Sequence, residues 1–102
     1  MGKNRIRESL IREIANIAVH ELVKKHTSKP ETTHFLSSEI IEYRSLAKKT
    51  SEEYNWNSND KEHVENKALK AIKEKLALKY SDISYSEQDA IAKLKSLIKE
   101  VM

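Results

Sequence analysis

The 102-residue sequence contains no cysteine, one glycine (Gly2), one proline (Pro30), one tryptophan and one phenylalanine. Each scarcity excludes something. Without cysteine there is neither a disulfide framework nor a thiolate metal site. With its single glycine at position 2, the chain cannot build a glycine-rich phosphate loop or a serine nucleophile elbow. No apolar run approaches the roughly 20 residues that cross a bilayer, and the first residues carry no apolar signal core. A soluble, cytoplasmic protein with no membrane association is therefore expected. The near absence of glycine and proline also removes the strongest breakers of regular structure. What remains is rich in Lys, Glu, Ala, Leu and Ile, most of which favour helix interiors, and no segment shows the period-two alternation of a strand. The expected fold class is all-α.

Residues 1–102 read as a single domain, since nothing resembles an internal repeat or a linker and compact domains cluster at roughly 100–150 residues. Three breaks divide it: residues 27–33 around Pro30, residues 55–60 (rich in Asn, Ser and Asp), and residues 81–86. Turn-forming side chains and the restriction before proline account for them. Asn59 with Glu62, and Ser86 with Asp89, suggest helix N-caps. Helices are expected near 4–26, 34–54, 60–80 and 87–101. Short connections make an up-down-up-down bundle the default arrangement.

Stepping 100° per residue separates the helices. The last is one-faced, with Ile91, Leu94, Leu97, Ile98 and Val101 within a narrow arc. The second gathers Phe35, Leu36, Ile40, Tyr43, Leu46, Ala47 and Tyr54, and leaves Ile41 on its polar side. The third gathers Val64, Ala68, Leu69, Ile72 and Leu76, with Ala71, Leu78 and Tyr80 at its edges. The first is different. Ile6, Leu10, Ile11, Ile14, Ala15, Ile17, Ala18 and Leu22 already cover about half its circumference, and Val19 and Val23 widen the arc further. Such a helix either lies centrally between neighbours or forms a subunit interface. Ile11, Ala15, Val19, Leu22, Val23 and the lone Trp56 are the candidate interaction surface on the second reading, for a protein partner or a second copy in a homodimer. Trp56 has an alternative role as a plug folded back on the end of the bundle.

The charge is uneven. Residues 1–30 hold seven basic and three acidic residues, residues 31–57 three and five, and the remainder nine and eight. The basic first helix offers Arg5, Arg12, Lys24 and Lys25, with Lys67, Lys70 and Lys73 on the third, as candidate contacts to nucleic acid. Glu8 and Glu13 interrupt that stripe, and Lys24 and Lys25 also suit a helix C-terminus. A polar cluster of Arg7, Glu21, Lys25 and Glu65 is expected because Glu21 falls inside the apolar arc, where an isolated carboxylate is costly. Among the four histidines no H-x-x-x-H pair exists. The Glu31-x-x-His34 motif is a single copy beside Pro30, where a di-iron bundle requires two. No metal, cofactor or catalytic constellation is expected. The leading expectation is a small non-enzymatic helical module that binds protein, itself included; the alternative is a nucleic-acid-associated accessory protein.

Overall fold

The computed structural model describes residues 2–26, 30–80 and 84–102, and the side chains of all of these except residues 30–35. Four helices result: α1 Lys3–His26, α2 Pro30–Ser51, α3 Ser58–Lys79 and α4 Glu87–Val101. There is no strand among the described residues. The side chains of Glu31, His34 and Phe35 lie outside the described residues, as do residues 27–29 and 81–83 of two of the expected breaks.

Two helix starts differ from expectation, each for a local reason. α2 begins at Pro30 and not near residue 34. Proline is tolerated in a helix's first turn because no intrahelical partner needs its missing N–H and its φ is already helical. α3 begins two residues early, capped by Asn57 and not Asn59. The Asn57 side chain accepts from the Asp60 N–H at 2.8 Å, and the Asp60 carboxylate accepts from the Asn57 N–H at 3.3 Å. Asn57 and Asp60 thus form a reciprocal capping box. α4 starts as expected, with Ser86 accepting from the Asp89 N–H at 3.0 Å. α2 ends at Ser51, before the expected residue 54, and there the Trp56 indole takes the Ser51 carbonyl at 2.8 Å.

Cross-helix pairs set the chain directions. Glu13 meets Thr50 and Glu21 meets Arg44, so α2 runs antiparallel to α1. Arg7 meets Asp60 and Asn16 meets Lys75, so α3 runs parallel to α1. Glu21 meets Lys93 and Lys25 meets Asp89, so α4 is antiparallel again. The up-down-up-down order is present, but the cross-section is not a square. Among the described residues α1 touches all three other helices and α4 touches α2 and α3, while α2 and α3 do not touch each other.

That arrangement answers the apolar excess of α1. Leu10, Ile11, Ile14, Ala15, Ile17, Ala18, Val19, Leu22 and Val23 are all buried, joined by Leu36, Ile40, Ala47, Val64, Ala68, Ile72, Leu76, Leu94 and Leu97. Burial of each Leu- or Ile-sized side chain stabilises by roughly 1.5–3 kcal/mol. Neighbours on three sides of α1 therefore supply what a one-faced helix would not need. The expected interaction surface of Ile11, Ala15, Val19, Leu22 and Val23 is corrected accordingly: at 5% exposure or less, these residues are core. Leu46 and Leu78 depart the other way. Leu46 sits at the margin of the α2 apolar face at 49% exposure, and Leu78 at the α3 margin at 85%.

Candidate functional site

Two polar regions run along α1. The first is its N-terminal end. Asp60, presented by the capping box at the start of α3, receives Lys3 at 2.9 Å and Arg7 at 3.0 Å. The hydrogen bond from Lys3 foremost, with those from the Asn57 backbone and Arg7, holds its carboxyl below the usual aspartate range. Lys3 also lies 5.3 Å from the centre of the Trp56 ring, within cation–π range. Trp56 packs edge-on to Tyr54 at 6.0 Å and against the core. It is therefore a half-buried plug, and the anchor reading is corrected.

The second region is the strip of α1 that lies open between α2 and α3. Glu13 accepts from the Thr50 hydroxyl of α2 at 3.2 Å, and Asn16 accepts from the Lys75 ammonium of α3. His20 stacks on Tyr43 with ring centres 5.5 Å apart and faces Glu39 at 3.5 Å. Burial raises the Glu13 pKa against the opposing effects of Thr50 and Arg12. Burial also lowers the His20 pKa, with Lys75 and Lys79 adding to that effect and Glu39 opposing it. Lys75 is lowered by burial and by Lys79. Glu13 Oε2 and His20 Nδ1 are shielded from solvent and find no hydrogen-bond partner among the described residues. Ser9, Glu13, Asn16 and His20 recur at intervals of four, three and four, a polar stripe on one helix face. That spacing was available in the sequence, where the apolar arc of the same helix drew attention away from it.

The expected cluster of Arg7, Glu21, Lys25 and Glu65 does not assemble. Arg7 goes to Asp60, and Lys25 to Asp89 at 3.4 Å. Arg7 and Lys25 share a face of α1 but stand 18 residues apart, about 27 Å along the axis. Glu21 does obtain partners, Arg44 at 2.9 Å and Lys93 at 2.7 Å, from two other helices. Lys24 and Lys25 border a cleft of about 380 Å³ between α1 and α4. Glu65 borders another of about 380 Å³ between α3 and α4, beside Lys61 and Lys95.

The basic residues divide as well. Arg5 and Arg12 lie about 140–160° around α1 from Lys25 at the helical step. Lys73 pairs with Glu87 of α4 at 2.6 Å. Arg12, Lys67 and Lys70 do share a side: His63 faces Glu8 at 3.6 Å, and Arg12 and Lys67 each lie one turn beyond those partners on parallel helices. Arg5, Arg12, Lys24, Lys25, Lys67, Lys70 and Lys73 thus form no single surface.

Leu46 and Leu78 border the open strip. Leu46 follows Tyr43 by three residues and precedes Thr50 by four, which places it on the α2 edge that carries both. Leu78 follows Lys75 by three on α3. Among the described residues no three Asp, Glu or His side chains converge as a metal site requires. Compared with protein-family models, curated proteins and solved structures, the chain matches none.

Proposed function

We propose that this chain is a non-catalytic helical module that binds a protein partner through the open strip between α2 and α3. The observation that carries this reading is the placement of Leu46 and Leu78. They are two of the three large apolar side chains left exposed among the described residues, and they stand on the two helices that flank one polar strip. Leucines on either side of a polar centre suit an apolar-bearing protein surface. The strip beneath them adds the partly exposed polar side chains of Ser9, Glu13, Asn16 and His20.

The nucleic-acid reading has its own support in Arg12, Lys67 and Lys70, which stand exposed on the α1–α3 side. Phosphate contacts would use those cations and give Leu46 and Leu78 no apolar surface to meet, so the protein reading accounts for more of the surface. Placing a photo-crosslinking amino acid at position 46, 78 or 66 in the native host tests the proposal. Protein adducts are expected at 46 and 78 and not at the exposed control position Asn66. Equal yields at all three positions, or none at 46 and 78, would overturn it.

A further inference from the structure

We infer that the protein bound at this strip is a second copy of the chain, seated strip to strip about a twofold axis parallel to α1. This rests on the binding surface proposed above and adds the identity of its occupant. A twofold axis in that direction brings α2 of each protomer against α3 of the other and leaves heights along α1 unchanged. Residues meant to pair across it must therefore already stand at matching heights on α2 and α3 within one protomer.

They do. Glu13 marks the height of Thr50, and Glu21 that of Arg44, so Leu46 stands near the level of α1 residue 18. Asn16 marks the height of Lys75, so Leu78 stands near residue 19. By the same interpolation Lys49 stands near residue 14 and Glu74 near residue 15. Glu53, just past the end of α2, stands near residue 9, and Lys70, between His63 at the level of Glu8 and Lys75 at that of Asn16, near residue 13. At 1.5 Å per residue the mismatch is about 1.5 Å for the leucines and for Lys49 with Glu74, and about 6 Å for Glu53 with Lys70, which two long side chains can span. All six residues are exposed.

The chemistry also matches. Along α2 the order is Leu46, Lys49, Glu53; along α3, read in the antiparallel sense, it is Leu78, Glu74, Lys70. Leucine meets leucine, Lys49 meets Glu74, and Glu53 meets Lys70, and the symmetry repeats each pair. The spacings are three and four residues on α2 against four and four on α3, a difference of one residue over the whole stretch. Along the axis itself face Ser9, Glu13, Asn16 and His20. Like residues meet there in any twofold dimer; three of the four carry no charge while the imidazole is neutral, and the fourth, Glu13, accepts from the Thr50 hydroxyl of its own α2. An acidic or basic line at that position would repel its own copy.

Sedimentation equilibrium of the purified full chain, from micromolar to submillimolar concentration, tests the inference. A mass approaching twice the 11.8 kDa of the chain is expected. Leu46→Asp and Leu78→Asp should each weaken the dimer about tenfold or more. Lys49→Glu and Glu74→Lys should each weaken it by a smaller factor, and the two together should restore it. These positions are exposed, so helical circular dichroism and melting of the dilute protein should be unchanged. A mass of 11.8 kDa at every concentration, or a dimer indifferent to both aspartates and to the charge swap, would overturn the inference. A monomer that still forms host-protein adducts at positions 46 and 78 would remove the second copy while leaving the binding surface in place. Loss of those adducts as well would remove both.

Discussion

At the N-terminal end of α1, Asp60 holds two cations and caps a helix. Halfway along α1, Glu13 has one hydroxyl, His20 has one acidic neighbour at 3.5 Å, and each keeps a shielded atom without a hydrogen bond. Both regions join helices that are distant in sequence, yet their electrostatic consequences oppose. Satisfied charge at Asp60 favours the ionised carboxylate, whereas burial at the strip favours neutral Glu13 and neutral His20. A fully matched carboxylate ties a fold together, whereas a half-matched polar group costs stability. The contrast separates a structural polar site from the candidate binding site on the same helix.

Mutations can break that contrast, beginning with the largest effect. Asp60→Ala removes the carboxylate half of the α3 capping box and leaves Lys3 and Arg7 without their shared acceptor. It should give the deepest fall in melting temperature of this set, while Glu13→Gln at the strip should give none or a slight rise. Thermal melts at pH 7 check both, and equal losses would erase the distinction. Trp56→Ala comes next. It removes the plug, its bond to Ser51 and the ring beneath Lys3, and should destabilise by about 1–3 kcal/mol because the indole is only half buried. Urea denaturation followed by circular dichroism measures this, and an unchanged midpoint would mean that the indole seals nothing.

Acid should affect the two regions through different groups. His20 has a folded pKa below its ordinary 6.5, so its contribution to stability is complete above pH 6.5 and is lost as pH falls through the lower folded value. Glu13, raised above 4.5, works in the opposite sense: it contributes fully below 4.5, and that contribution is lost as pH rises through its folded pKa. Asp60, lowered below 3.8, loses its contribution only in stronger acid still. Stability should therefore decline first below pH 6.5, and His20→Gln should remove that first decline alone. Melting temperatures at half-unit steps from pH 7.5 to 3.5 would show it, and identical profiles for the two proteins would refute it. The smallest effect is expected from Lys75→Met, which keeps the apolar stem and removes one of two ammonium groups acting on His20. The His20 pKa, followed by NMR, should move upward, with little change in stability. A fixed or falling value would show that Lys75 does not act on the imidazole.

Much of the fold was legible in sequence because it is local. Periodicity and the dearth of glycine and proline give four helices. The one-faced pattern of α4 gives its buried residues, and Ser86 gives its cap. The excess apolar arc of α1 was visible too, but not its destination. Helical spacing measures how wide an apolar face is, not how many neighbours cover it. The choice of Asn57 over Asn59 as cap was hidden for a related reason. Both offer an Asn with an acid three residues on, and Asp60 is also met by Lys3 and Arg7, 57 and 53 positions earlier in the chain.

By itself, then, the sequence determined the all-helical class, the number of helices, the amphipathic faces and the uneven charge of α1. These depend on interactions within about four residues along the backbone. Only the tertiary structure decided that α1 is buried on three sides, that Glu21 draws its cations from α2 and α4, and that Trp56 closes on Ser51. It also decided that Leu46 and Leu78 stay outside on either side of a polar strip. Those outcomes depend on which distant helices meet, and two separated helices leave an exposed edge that no helical period encodes.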